Sequence, residues 1–81
     1  MMIGTISKLV TTFGSQWGRI RPKNETREVF FNVDSLTRWQ DFVKLHEGQA
    51  VEFEEQADFV NGSHATSVVI SRTPRVATAR G

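Results

Sequence analysis

Two short segments set the pattern: Trp17-Gly18-Arg19-Ile20 and Glu28-Val29-Phe30-Phe31-Asn32. Successive side chains on a β-strand point to opposite faces. Val29 and Phe31 therefore share one face of the second segment, and Phe30 and Asn32 share the other. In the first segment Gly18 and Ile20 face one way, Trp17 and Arg19 the other. If Ile20, Val29 and Phe31 fill a core, then Trp17, Arg19, Phe30 and Asn32 stand together in water. Flat π-faces beside a cation suit the stacking of single-stranded bases and the holding of their phosphates.

The same alternation predicts five strands: Met2–Val10, Gln16–Arg21, Arg27–Val33, Ala50–Gln56 and Ala65–Ser71. Turn-rich stretches separate them, over residues 11–15, 22–26, 34–48 and 57–64. Val51 and Phe53 alternate with Glu52 and Glu54, one face buried and one wet. In the first strand Ile6, Leu9 and Val10 fit no strict period of two, which calls for a bulge or a sharp coil. The long connection from Asp34 to Gly48 carries Leu36, Trp39, Phe42, Val43 and Leu45, enough for a short helical turn. Pro74 and the absence of apolar periodicity predict a single domain over residues 1–72 and a disordered tail over 73–81. Five short strands in so small a domain suit a closed antiparallel barrel, which removes exposed sheet edges. An SH3-like barrel fits the pattern as well.

Composition then narrows the chemistry. An 81-residue chain buries one modest core. With no cysteine there is neither a disulfide framework nor a thiolate zinc site, and a cytoplasmic setting is expected. No apolar run reaches the length of a membrane span, so no membrane association is expected. Net charge is only +1, yet residues 1–27 hold five basic residues against Glu25 alone, and residues 28–60 hold eight acids against Arg38 and Lys44. The cations thus cluster on the segments that carry the exposed aromatics. His46 and His64 lie without the carboxylate or cysteine spacing of a metal site. Neither a G-x-S-x-G elbow nor a phosphate-cradling glycine loop occurs. The expectation is a protein that is not an enzyme, with no cofactor, no metal and no small-molecule substrate.

Gly4-Thr5-Ile6, Trp17–Ile20, Arg27–Asn32 and Leu45-His46-Glu47-Gly48-Gln49-Ala50-Val51-Glu52-Phe53 resemble, in order and spacing, the cold-shock domain. Gly62-Ser63-His64-Ala65-Thr66-Ser67-Val68 is similar to that family's closing G-x-x-A-x-N-V segment. The likeness runs over about residues 3–71. It implies an all-β, five-stranded antiparallel oligonucleotide-binding (OB-fold) barrel that binds single-stranded RNA or DNA.

Several motif positions depart. The family's K-G-F-G-F-I becomes Ser15-Gln16-Trp17-Gly18-Arg19-Ile20, so Trp17 keeps a stacking ring and Arg19 replaces one. V-F-V-H-F becomes Val29-Phe30-Phe31-Asn32-Val33, keeping Phe30 but placing Asn32 where histidine is usual. The early K-W-F-N reads Ser7-Lys8-Leu9-Val10. Phe42 matches a loop aromatic that commonly adds a stacking partner, and Phe13 is a candidate recruit at a loop tip. Trp39 is expected to cover the barrel end. The expected nucleic-acid contacts are Lys8, Phe13, Trp17, Arg19, Phe30, Asn32 and Phe42. The leading reading is an RNA chaperone or a regulator of transcription or translation. The alternative is a diverged barrel whose same patch binds a protein partner as regulator or inhibitor, since Trp and Arg also favour protein interfaces.

Overall fold

In the computed structural model, residues 1–12, 14–57 and 62–71 are described. The strands are β1 (Met2–Thr12), β2 (Ser15–Pro22), β3 (Val29–Asn32), β4 (Ala50–Gln56) and β5 (His64–Ile70). They close into a barrel in the order β1-β2-β3-β5-β4. All five expected strands are present. β4 has its expected bounds, β1 runs two residues further, and β3 is shorter at both ends. Phe13 and the proposed tail over 73–81 lie outside the described residues.

One expectation needs correction. The barrel is mixed rather than wholly antiparallel, because β3 meets β5 in parallel through the single pair Phe30 and His64. A second parallel bridge, Leu36 with Val68, continues that seam, and the Thr37 N–H donates to the Val68 carbonyl at 3.1 Å. The other pairings are antiparallel.

The irregular pattern of β1 has the cause its sequence suggests. Its register with β2 shifts between Ile6 and Lys8. The Ser7 hydroxyl donates to the Arg19 carbonyl there at 3.3 Å. Before the bulge β1 pairs with β4. At the bulge it turns to the loop ahead of β4, where Ile6 N–H donates to the Gln49 carbonyl and Gly48 N–H to the Ile6 carbonyl. One strand thereby serves two sheets and coils the barrel closed. β5 has a comparable shift opposite Glu52–Glu54, and there Ser67 adopts a left-handed backbone with φ of 53°.

Ile6, Ile20, Val29, Phe31, Val51, Phe53, Ala65 and Val68 are sealed in the barrel interior. Gly18 is required by close packing: a Cβ there would lie 2.5 Å from the Lys8 carbonyl oxygen and 2.8 Å from the Phe31 ring. Leu36, Phe42 and Leu45 complete the buried core. They come from the connection between β3 and β4, which forms a 3₁₀ turn over Val33–Ser35 and a 3₁₀ helix over Trp39–Lys44.

Candidate nucleic-acid interface

The outer face of β1, β2 and β3 follows from register alone. Antiparallel partners share a face, so Lys8 stands opposite Arg19 and Arg19 opposite Phe30. One row along, Val10 faces Trp17 and Trp17 faces Asn32. Trp17 and Phe30 are then diagonal neighbours, close enough for large rings to meet. Their centroids lie 5.9 Å apart with 26° between planes, a stacked pair. Phe30 is 43% exposed. Two residues along β2 from Trp17, the Arg19 guanidinium carbon sits 5.5 Å from the indole centroid, within cation–π range. Trp17, Arg19 and Phe30 are thus brought together on one face, where the alternation puts them.

The cations around it are not equally available. Arg21 donates to Glu28 at 3.1 Å, and Arg19 lies 3.8 Å from the same carboxylate. Glu28 therefore neutralises part of the charge beside the rings. Lys8 has no carboxylate within 4.0 Å among the described residues, and it stands directly opposite another cation. Like charges in that relation destabilise a sheet slightly, and an anion shared between them reverses the effect. Arg27 belongs to a different cluster. It pairs with Glu25 and, through two nitrogens, with Glu55 at 2.6 and 2.7 Å. The hydrogen bonds that Arg27 donates hold the Glu55 carboxyl below its ordinary range, and the Glu55 and Glu25 carboxylates that accept them raise Arg27 further.

Asn32 is at the interface but half committed. Its Oδ1 accepts from the Asp34 N–H at 2.9 Å and the Ser35 hydroxyl at 3.3 Å, while its own N–H donates to Ser35 Oγ. It caps the 3₁₀ turn that ends β3, which is why the strand stops there. The side-chain NH2 is what remains to offer a base edge.

Phe42 is a correction. Expected as an exposed stacking ring, it is only 2% exposed and packs on Phe31, with centroids 6.3 Å apart. Burying a large ring against the core gains more than presenting it to water. Trp39 has the opposite fate: expected over the barrel end, it is 66% exposed at the start of the 3₁₀ helix. Phe13 lies outside the described residues.

Beside Phe30 an open groove of about 750 Å³ runs toward β5. Its walls include Arg19, Phe30, Asn32, Asp34, His64 and Thr66. His64 and Thr66 were not among the expected contacts. Their position depends on the parallel β3–β5 pair, which no local pattern announces. Among the described residues no group of three or more His, Cys, Asp or Glu side chains is placed to hold a metal ion. Nor is any described helix long and apolar enough to cross a membrane.

No curated protein shows significant similarity to the chain. The family profile described as the "Cold-shock" DNA-binding domain matches residues 3–71, spanning all five strands. With its closed five-stranded barrel and that match over most of its length, the chain belongs to the cold-shock domain family, which supports a nucleic-acid-binding role in a non-enzymatic fold.

Proposed function

We propose that the chain binds single-stranded RNA or DNA on the outer face of β1–β3 and acts as an RNA chaperone or as a regulator of transcription or translation, in a cytoplasmic setting. The observation that carries this reading is the Trp17–Phe30 stack with Arg19 over the indole. A base laid on Phe30 or Trp17 gains stacking worth roughly 1–3 kcal/mol. Lys8 and Arg19, opposite each other across β1 and β2, are the cations the reading assigns to its phosphates. Transient stacking holds a strand open against hairpin formation and needs no nucleotide hydrolysis.

The test is a tryptophan-fluorescence titration with single-stranded oligonucleotides. Trp39, being exposed, adds a second signal, so the titration is run on Trp39→Phe, which leaves Trp17 as the reporter. Saturable quenching that weakens with salt supports the platform. No change in Trp17 emission at low salt, from protein whose circular dichroism shows it folded, contradicts it.

A second reading, a protein-binding regulator using the same surface, draws on the neutralisation of Arg19 and Arg21 by Glu28, which lowers the positive field a nucleic acid would meet. Failure to bind any strand, together with capture of a protein partner that Phe30→Ala abolishes, identifies this alternative.

A further inference from the structure

Four residues from four strands lie in one line across the outer face: Lys8, Arg19, Phe30 and His64. The first three belong to the platform described above. The fourth arrives from β5 and is adjacent to Phe30 only because the barrel closes through a parallel pair. Ala65, the next residue, points into the core, so the His64 side chain lies on the outer side. There it lines the groove with Phe30, Arg19 and Thr66. Its imidazole makes no hydrogen bond or ion pair among the described residues, whereas the other histidine, His46, is engaged with the Glu47 carbonyl at 3.0 Å.

Resting on the platform reading, we propose that His64 is a further strand contact, that the bound strand continues past Phe30 into the groove between β3 and β5, and that binding is thereby linked to protons. A base seated on Phe30 brings its flanking phosphate toward the neighbouring strand. A neutral imidazole offers that phosphate one N–H. A protonated one offers a charge-assisted hydrogen bond and adds a third cation to the line of Lys8 and Arg19. Imidazole is the side chain whose ordinary charge change falls between pH 5 and 8.

The charged groups on this side of the barrel are Arg19 from β2 and Asp34 from the 3₁₀ turn, which line the groove with His64, and Glu54 of β4, which lies opposite Thr66. Glu55 is already engaged by Arg27 and the Ser63 hydroxyl. The residue opposite His64 on β4 is the neutral Gln56. A phosphate entering the groove sets a negative charge beside the imidazole, so the strand takes up a proton as it binds.

The test is anisotropy of a labelled short oligothymidylate at fixed ionic strength, near pH 8 and near pH 5.5, with unaltered protein, His64→Gln and His46→Gln. Thymine carries no group that titrates in this interval. The unaltered protein and His46→Gln are expected to bind roughly tenfold more tightly at the lower pH, the size of one charge-assisted contact. His64→Gln, which cannot take up a proton in this interval, is expected to lose that gain and to bind with the same affinity at both pH values. Tight binding with no pH response overturns the inference and leaves the platform intact, as does a response that survives in His64→Gln. No binding by folded protein at either pH overturns both.

Discussion

Phe42 separates the structure from the family pattern most sharply, because the two assign it opposite environments. In the structure its ring is 2% exposed, set against Phe31 in the core cluster that includes Leu36 and Leu45. Truncating such a ring removes its transfer free energy and leaves a cavity, together about 3–5 kcal/mol. At about 0.05–0.15 kcal/mol per residue, an 81-residue domain holds roughly 4–12 kcal/mol in all. Phe42→Ala should therefore remove between a quarter and all of the stability, and Phe42→Leu, which keeps most of the volume, about 1 kcal/mol. Trp39→Ala, at an exposed position, should stay within about 0.5 kcal/mol. The assay is urea unfolding followed by far-ultraviolet circular dichroism, which does not depend on the indoles. A Phe42→Ala protein as stable as the parent but weaker for oligonucleotide would place the ring on the surface and refute the packing argument.

Three further outcomes are expected. Ser67 holds a left-handed φ of 53°, which asparagine and glycine adopt more readily; Ser67→Asn or Ser67→Gly should stabilise by about 0.5–1 kcal/mol in the same urea experiment. Because Arg27 depresses the Glu55 carboxyl in the folded state, the stability from that pair is present above the ordinary carboxylate range and lost as pH falls through the lowered value. The gap in melting temperature between the parent and Arg27→Met should then be widest near neutrality and close below about pH 4. Glu28→Gln releases Arg19 and Arg21, so the dependence of oligonucleotide affinity on salt should steepen by about 0.7 in log–log slope per phosphate newly engaged; an unchanged slope would show that Glu28 does not compete with phosphate.

The outer surface of β2 and β3 was legible because a period of two is the strongest rule a strand obeys. Trp17, Arg19 and Phe30 had no alternative once Ile20, Val29 and Phe31 went inside. The bulge near Ser7 was legible for the same reason, as a break in that rule. Phe42 and Trp39 exchanged expected roles because no single period governs the connection between β3 and β4. Which ring turns inward is settled by packing against Phe31, a partner distant in sequence. Asn32 carried a readable signal, a capping residue with Ser35 three positions on, but the strand pattern ran over it and extended β3 to Val33. His64 was not legible. Its place beside Phe30 comes from barrel closure, and a search for metal or catalytic spacing does not ask which strand lies alongside.

The most direct test of the platform is anisotropy of a labelled single-stranded oligonucleotide titrated with the parent protein and with Phe30→Ala, at low and at moderate salt. A base stacked on Phe30 predicts saturable binding that weakens as salt rises, with a loss of about 1–3 kcal/mol in the variant and no change in its fold. Equal affinity in parent and variant, or no binding by the folded parent at low salt, would contradict a nucleic-acid site on this face.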